Sequence, residues 1–347
     1  MHLSVVIPAR NASEHLDPLL SALLPQLLPD DECMLVDDAS EDLTGEIARR
    51  YGVKVLRIDI RGGPAAARNA GAALAVGDLL VFLDADVVPH ADLFVRIREQ
   101  MHRFPLVSAL IGSYDNQPFA SSTVSRFRNL LHCFTHHNGD PDASTFWAGC
   151  GAIRRAAFQK LDGFDAVQFT EPSIEDIELG VRLKREGGTI RLDPALLVQH
   201  RKEWTLLGMV RTDIVSRAIP WTKLILSSGK MPLDLNLKAS QRVSGAAVAG
   251  ACLSLMLLPW APVVFGVPAT VLLAMVIVLN VSLYRFLANC GGLGFAIRCI
   301  PLHFLYFLCS VTGYVVGWGQ FHLQGFRSAD RPSRHESHPK SPSDPPA

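Results

Sequence analysis

The stretch "LLVFLDADVVP", Leu79 to Pro89, joins an apolar run to two acids. Five apolar residues suit a strand buried on both faces. The run then ends in Asp84 and Asp86. Carboxylates are costly at the tip of a buried strand unless something there needs their charge. The question the stretch poses is what those acids hold.

Outward from it, residues 1–112 alternate short apolar runs with helical patterns. The expected strands are "LSVVIP" (3–8), "CMLVD" (33–37), "VKVLRI" (53–58), "LLVFLD" (79–84) and "LVSALIG" (106–112). Helices are expected near 13–27, 41–51, 64–76 and 90–103. Continuous apolar strands separated by helices indicate an α/β fold with a mostly parallel sheet covered on both faces. In such sheets ligands sit beyond the carboxyl ends of the strands. Polar residues fall there three times, at Ala9-Arg10-Asn11, Asp37-Asp38 and Asp84-Ala85-Asp86. One sheet edge therefore collects acids from separate strands. Residues 113–203 are less regular, with helices expected near 123–136, 154–161 and 174–187.

Asp84 and Asp86 lie two apart, so in an extended chain they point to one side and can converge on one hard cation. Mg²⁺ or Mn²⁺ on one or two carboxylates, completed by water and phosphate, is the usual arrangement for handling phosphates. The segment "GGPAAARNAGAALAVGD" (62–78) pairs a Gly62-Gly63 turn and Pro64 with an Ala-rich helix, placing Arg68 one turn in. Such a helix start can meet a phosphate, although the spacing is not the G-x-G-x-x-G of dinucleotide folds.

"VVIPARN", "LVDDASED", "GGPAAARNAG", "FLDADVVP" and "EPSIEDIELGVRLKREG" follow one another in this chain. Together they resemble the inverting family 2 glycosyltransferases, which have the nucleotide-sugar-binding GT-A fold. The resemblance covers about residues 3–203. It implies a metal-dependent hexosyltransferase with a nucleoside-diphosphate-sugar donor. It places Pro8, Ala9 and Asp38 at the donor's base, Arg68 on the nucleotide, and Asp84 and Asp86 on Mg²⁺ or Mn²⁺. It makes Asp176 the catalytic base, with Glu175 beside it. "STFWAGCGAIRRAAF" (144–158) resembles the segment beneath donor sugar and acceptor, which puts Trp147 and Gly149 on the acceptor side. His200 resembles a histidine that some relatives place on the metal. The Q-x-x-R-W signature of processive polysaccharide synthases is absent, with "SRAIPW" (216–221) near its expected place.

The rest of the composition concerns the membrane. Lys and Arg number 33, as do Asp and Glu, so no bulk charge argues for a nucleic-acid partner. Charged residues are 19% of the chain, below the roughly 25% of ordinary soluble domains. The deficit is concentrated, since 243–284 and, His aside, 299–326 carry no charge. These stretches predict membrane helices at 243–262, 264–284 and 300–320, within a membrane region at 243–321. Residues 204–242, basic and Trp-edged at their start, are expected to lie in the interface. Residues 327–347 are expected to be a disordered tail. "MHLSVVIPAR" shows no signal-peptide pattern, so the 1–203 domain is expected on the cytoplasmic side of the inner membrane. Two or four crossings remain compatible with the basic tail. Seven cysteines without a CxxC pair suggest neither a zinc site nor a disulfide framework.

A membrane-anchored transferase acting on a lipid or lipid-linked acceptor is the reading these features favour. A non-catalytic nucleotide-sugar-binding scaffold and a subunit of a polysaccharide synthesis or export system are the alternatives.

Overall fold

The run Leu79–Leu83 is wholly buried because it lies at the centre of a sheet. The computed structural model describes residues 1–229 and 238–324. In chain order the strands are β1 (Leu3–Ala9), β2 (Glu32–Asp38), β3 (Lys54–Ile58), β4 (Leu79–Leu83), β5 (Val87–Pro89), β6 (Ala109–Tyr114), β7 (Asp142–Ala143), β8 (Cys150–Arg154) and β9 (Ile190–His200). They stand in the spatial order β3-β2-β1-β4-β8-β6-β9-β5, with β7 added on β9. The strands β1 to β4 are mutually parallel where they pair. They are linked through α1 (Ser13–Leu23), α2 (Thr44–Arg50) and α3 (Gly63–Leu74).

Beyond β4 the sheet becomes mixed. β8 lies between β4 and β6 and is antiparallel to both, while β6 and β9 are parallel. The sequence reading did not identify β8 or β9. "CGAIR" offers small residues rather than an apolar run, and "IRLDPALLVQH" is broken by Asp193 and Pro194.

The two-residue period of the strands divides the core. Leu3, Val5, Ile7, Leu79, Val81 and Leu83 pack under α1 and α4 (Leu93–Arg103). Val6, Met34, Leu80 and Phe82 pack on the opposite face. There they meet α3, α6 (Arg155–Lys160) and α7 (Glu175–Arg185), which follow α5 (Thr123–His137) in part of the chain. Each fully buried side chain of β4 contributes about 1.5–3 kcal/mol.

Gly180 lets α7 lie directly on the backbone that leads into β8. A Cβ there would stand 2.3 Å from the Phe146 nitrogen. Gly180→Ala should therefore lift the helix that carries Glu175 and Asp176. We expect a loss of about 1–3 kcal/mol in denaturant unfolding of the full chain, with a fall in activity. Unchanged stability and activity would show that α7 is free to shift.

The chain continues through α8 (Leu206–Arg211), a π-helical segment (Thr212–Ala218), α9 (Ile219–Ser228), α10 (Ala239–Leu257), α11 (Pro262–Leu279), α12 (Val281–Gly291) and α13 (Leu293–Gln324). Phe127 and Leu130 of α5 pack with Met209, Leu283, Leu287 and Phe295, which docks this helical layer onto the sheet domain. Among the described residues, two helices are long and apolar enough to cross a membrane, Pro262–Leu279 and Leu293–Leu323. They overlap two of the three expected spans. α10 stands where the remaining span was expected and ends at Leu257. Asn280 ties α10 to α11, donating to Ser244 Oγ and accepting from Gln241 Nε2. Val263, Val264, Val267, Val271 and Val278 of α11 are all exposed, an apolar surface that water does not favour. The expected interfacial stretch lies partly, and the expected tail wholly, outside the described residues.

Candidate functional site

The site forms where β4 ends. Asp84 N–H donates to Gly149 O at 3.3 Å, the bond that continues the β4–β8 ladder into the loop. Gly149 is needed there because a Cβ would meet the Trp147 indole at 2.8 Å. Asp84 Oδ1 accepts from Arg68 Nη2 at 2.7 Å. Arg68 Nη1 donates to Glu175 Oε1 at 2.9 Å. Arg68 is only 4% exposed, and its guanidinium lies over the Phe164 ring. It thus joins α3, the end of β4 and the start of α7 into one buried unit. Burial drives the Asp84 carboxyl upward, and the charges of Asp86 and Glu175 add to this while Arg68 opposes it.

Asp86 faces His200. The antiparallel pairing of β5 with β9 sets Val87 against His200, and Arg201 N–H donates to Asp86 O at 2.8 Å. His200 Nε2 stands 3.5 Å from Asp86 Oδ2. Its Nδ1 is 2.6 Å from Asn129 Oδ1. A carbonyl oxygen accepts, so Nδ1 donates and Nε2 is left facing the Asp86 carboxylate. His200 is buried and stacked on Tyr114. Burial works to raise Asp86, but His200, Lys202 and His15 outweigh it and hold its carboxyl down at about 2.

Among the described residues no three His, Cys, Asp or Glu side chains close around one point. What is present is the Asp86–His200 pair, with Asp84 at the same strand end. The separation of the pair exceeds a hydrogen bond and suits two ligands of one ion. Asp84 and Glu175 share one buried guanidinium, and Asp86 adds a carboxylate at the same strand end, so a cation there would ease the approach of a diphosphate. The residues fit a hard divalent ion that keeps water and phosphate oxygens as its other ligands. With Nδ1 held by Asn129, the imidazole is oriented as histidines on metals are.

Asp176 opens α7. Its Oδ2 accepts from Ala148 N–H at 3.0 Å and its Oδ1 from Ile177 N–H at 2.8 Å. Burial and the neighbouring Glu175 charge push its carboxyl up to about 7, against the pull of Arg68 and these two N–H groups. Glu175 itself is buried and accepts from Arg68 and from Ser173 N–H. The two adjacent acids therefore have different surroundings, one paired with a guanidinium and the other held only by backbone.

The remaining expected residues fall around this unit. Asp38 is 4% exposed, and its two oxygens accept from Gly62 N–H at 2.7 Å and Gly63 N–H at 2.9 Å. It caps the start of α3. Gly63 has φ +81°, and a Cβ would strike Thr170 O at 2.2 Å, so only glycine turns the chain here. Pro8 and Ala9 end β1 beside Asp37, with Ala9 paired to it in register. Trp147 packs edge-on to Tyr114 and His136 and tilts over His132.

Asn129, His132 and His136 were not anticipated. Their spacing along α5 puts them on one helix face, and that periodicity was legible. With Tyr114 and His200 they line a cavity of about 530 Å³ that continues between the sheet domain and the helical layer. Arg128, Asp213, Trp221, Phe307 and Tyr314 line it farther on.

Residues 4–162 match the family model described as glycosyl transferase family 2. The 4,4'-diaponeurosporenoate glycosyltransferase of Staphylococcus haemolyticus is 37% identical over 123 residues, which are 34% of this chain and 29% of that protein. The pre-mycofactocin glycosyltransferase of Mycobacterium tuberculosis is 29% identical over 212 residues, 57% of this chain and 42% of that protein. The chain spans about a third of the length of several curated relatives that it matches. In fold it resembles mannosyltransferase PcManGT from Pyrobaculum calidifontis in complex with GDP-Man and Mn²⁺. The TM-score is 0.54 at 18% identity, covering 93% of this chain and 87% of that one.

Proposed function

We propose, from the match of residues 4–162 to the model of glycosyl transferase family 2, that this chain is an inverting, membrane-held hexosyltransferase. Its donor is a nucleoside-diphosphate sugar, and its acceptor is a lipid or lipid-linked molecule. One observation carries the reading. Asp84 and Asp86 stand at the end of β4, Asp176 of α7 accepts from the Ala148 N–H beside Trp147, and His200, which faces Asp86, lines the cavity that runs between apolar helices. The names of the Staphylococcus and Mycobacterium relatives, and the GDP-Man and Mn²⁺ of the Pyrobaculum protein, are consistent with it.

Each residue then has a task. Pro8 and Ala9 border the base. Asp38 holds the Gly62-Gly63 turn that shapes the base's side of the pocket. Arg68 aligns Asp84 and Glu175 from beneath. Asp86, with His200 and Asp84, would hold Mg²⁺ or Mn²⁺. When bound, that ion supplies charge neutralisation for the leaving diphosphate. Asp176 takes the proton of the acceptor hydroxyl as its oxygen bonds to the anomeric carbon. The electron pair of the broken carbon–oxygen bond leaves with the nucleoside diphosphate. No second carboxylic acid is required, unlike the paired acids of glycoside hydrolases. Trp147 and Gly149 form the acceptor-side wall, and the Trp147 indole keeps water from the reacting carbon. The exposed apolar faces of α11 and α13 support a position in the inner membrane, and the sheet domain is proposed to lie on its cytoplasmic side.

Purified membranes carrying the full chain, supplied with UDP- and GDP-hexoses and Mg²⁺ or Mn²⁺, test the proposal. Sugar-bearing product is expected in the organic extract by mass spectrometry. Donor hydrolysis without any transfer would overturn the transferase reading. Products confined to the aqueous phase would overturn its lipid part.

A further inference from the structure

The cavity beyond His200 has apolar walls, Trp221, Phe307 and Val311 among them. Its end beside His200 is different. Asn129, His132, Trp204 and Asp213 line the cavity, and each keeps a buried polar atom with no hydrogen-bond partner among the described residues. These atoms are Asn129 Nδ2, His132 Nδ1, Trp204 Nε1 and Asp213 Oδ2. Such groups are uncommon in native structures, because a buried donor or acceptor without a partner bears its full desolvation penalty. Neighbouring contacts hold the four together. Asn129 Oδ1 accepts from His200 Nδ1. The rings of His200 and His132 each stand 4.3 Å from that of Tyr114, centre to centre. Arg128, next to Asn129 on α5, donates to Asp213 Oδ1 at 2.5 Å and lies 5.7 Å from the Trp204 ring.

Their chemistry decides what satisfies them. With Asn129 Oδ1 engaged by His200, Nδ2 has N–H groups to give, and the Trp204 indole donates only. Asp213 Oδ2 is an acceptor. Burial raises this carboxyl, while the Arg128 pairing favours its ionised form. Burial, followed by the fields of His136 and His200, holds His132 well below the usual histidine range. Its ring is therefore neutral, with one donor and one acceptor nitrogen. Arg217 and Arg242 also line the cavity but keep exposed side chains. The fixed charge buried at this end is the paired Arg128 and Asp213. A carboxylate or phosphate head accepts only, so it would meet the two N–H groups but be repelled by Asp213. An ammonium head donates only, so it would leave Asn129 and Trp204 unmatched. A hydroxyl does both, and partners of both kinds on four side chains require more than one. Asp213 sits in the π-helical segment, a geometry common at functional sites. Ser173 Oγ donates to Ser216 O at 2.8 Å, which ties that segment to the loop that opens α7.

We infer that the His200 end of this cavity receives an uncharged head with several hydroxyls, a sugar or another polyol, on an acceptor whose apolar chain continues between the helices. The inference rests on the lipid-acceptor reading above and narrows it. Neighbouring side chains cover the four polar atoms, so rotamers turn as the head enters, a common change on binding. The cavity, about 530 Å³, is within the usual range for small-molecule sites.

The test uses the full chain in polyoxyethylene-detergent micelles, which carry no sugar, with protein-free micelles as the blank. Calorimetry compares octyl β-D-glucoside with 1-octanol, octanoate, octylamine and the chainless methyl β-D-glucoside. The octyl glucoside should bind tenfold or more tightly than each of the others. The double variant His132→Phe/Trp204→Phe keeps both rings but removes their N–H groups, and it should lose that advantage. A preference below tenfold over any of the four in the native protein, or one that survives the double substitution, overturns the inference. The native-protein comparison decides alone if the variant does not fold. Affinity for UDP- and GDP-hexoses is measured on the same samples. Donor binding with no preference for the octyl glucoside would sink this inference and leave the transferase proposal standing.

Discussion

Asp176→Asn should leave the donor bound and lower kcat by about a thousandfold, within the roughly 10²–10⁴-fold contribution of a positioned proton acceptor. Asparagine keeps one oxygen for the Ala148 N–H, loses the acceptor for the Ile177 N–H, and cannot take a proton. The pH dependence gives the role its signature. Burial and the Glu175 charge raise the Asp176 carboxyl to about 7. A base works when deprotonated, so native kcat should rise as pH increases toward about 7 and level off above it. The residual rate of the variant should lose that limb. Stability should move the other way. A carboxyl raised above its unfolded value of about 3.9 binds its proton more tightly in the folded state. Between about 4 and 7 it therefore costs stability as pH rises. Asparagine removes that cost, so thermal unfolding at pH 8 should occur at the same or a higher temperature. Full turnover by the variant, or a pH profile identical to the native one, would exclude Asp176 as the base.

Asp86→Ala should abolish the dependence of donor affinity on divalent ions. In the native protein, Mg²⁺ or Mn²⁺ should tighten UDP- or GDP-hexose binding by tenfold or more, as read by calorimetry. The physical basis is the set of acids at the end of β4, where Asp84 and Glu175 share one buried arginine and Asp86 stands against His200. Asp86 is held down at about 2 by His200, Lys202 and His15 against the effect of burial. It therefore stays ionised at any working pH, and its charge is available for a cation. Asn129→Ala serves as a companion. It frees His200 Nδ1 without removing an acid and should weaken metal affinity by about 10–100-fold. If neither ion alters donor affinity in the native protein, the acids at β4 have another purpose. An unaltered ion dependence in Asp86→Ala would move the site elsewhere.

Much of this was legible in one dimension. The strands β1 to β4 announce themselves as apolar runs, and the acids at their ends follow within a few residues. "EPSIEDIELG" shows acids at a helix start, where the helix dipole favours them. The mixed half of the sheet was not legible, because the small residues of β8 and the interrupted pattern of β9 carry no clear period. Even the expected residues changed character once placed. Arg68 was expected on the nucleotide and Asp38 at the donor's base, and the fold engages the first with two carboxylates and the second with two backbone amides.

The amino-acid sequence by itself determined the parallel half of the sheet, the apolar C-terminal third and the acids at one sheet edge. These depend on periodicity and local composition, which neighbouring residues carry. Only the tertiary structure decided which acid is paired with a guanidinium and which is held by backbone alone. Arg68 reaches Glu175 across 107 residues, and Asn129 orients His200 across 71. The arginine-lined cavity likewise needs α5, the π-helical segment, α10 and α13 in one place. Contacts between groups so far apart leave no pattern along the chain. Their pKa values and charge balance exist only once water has been excluded around them.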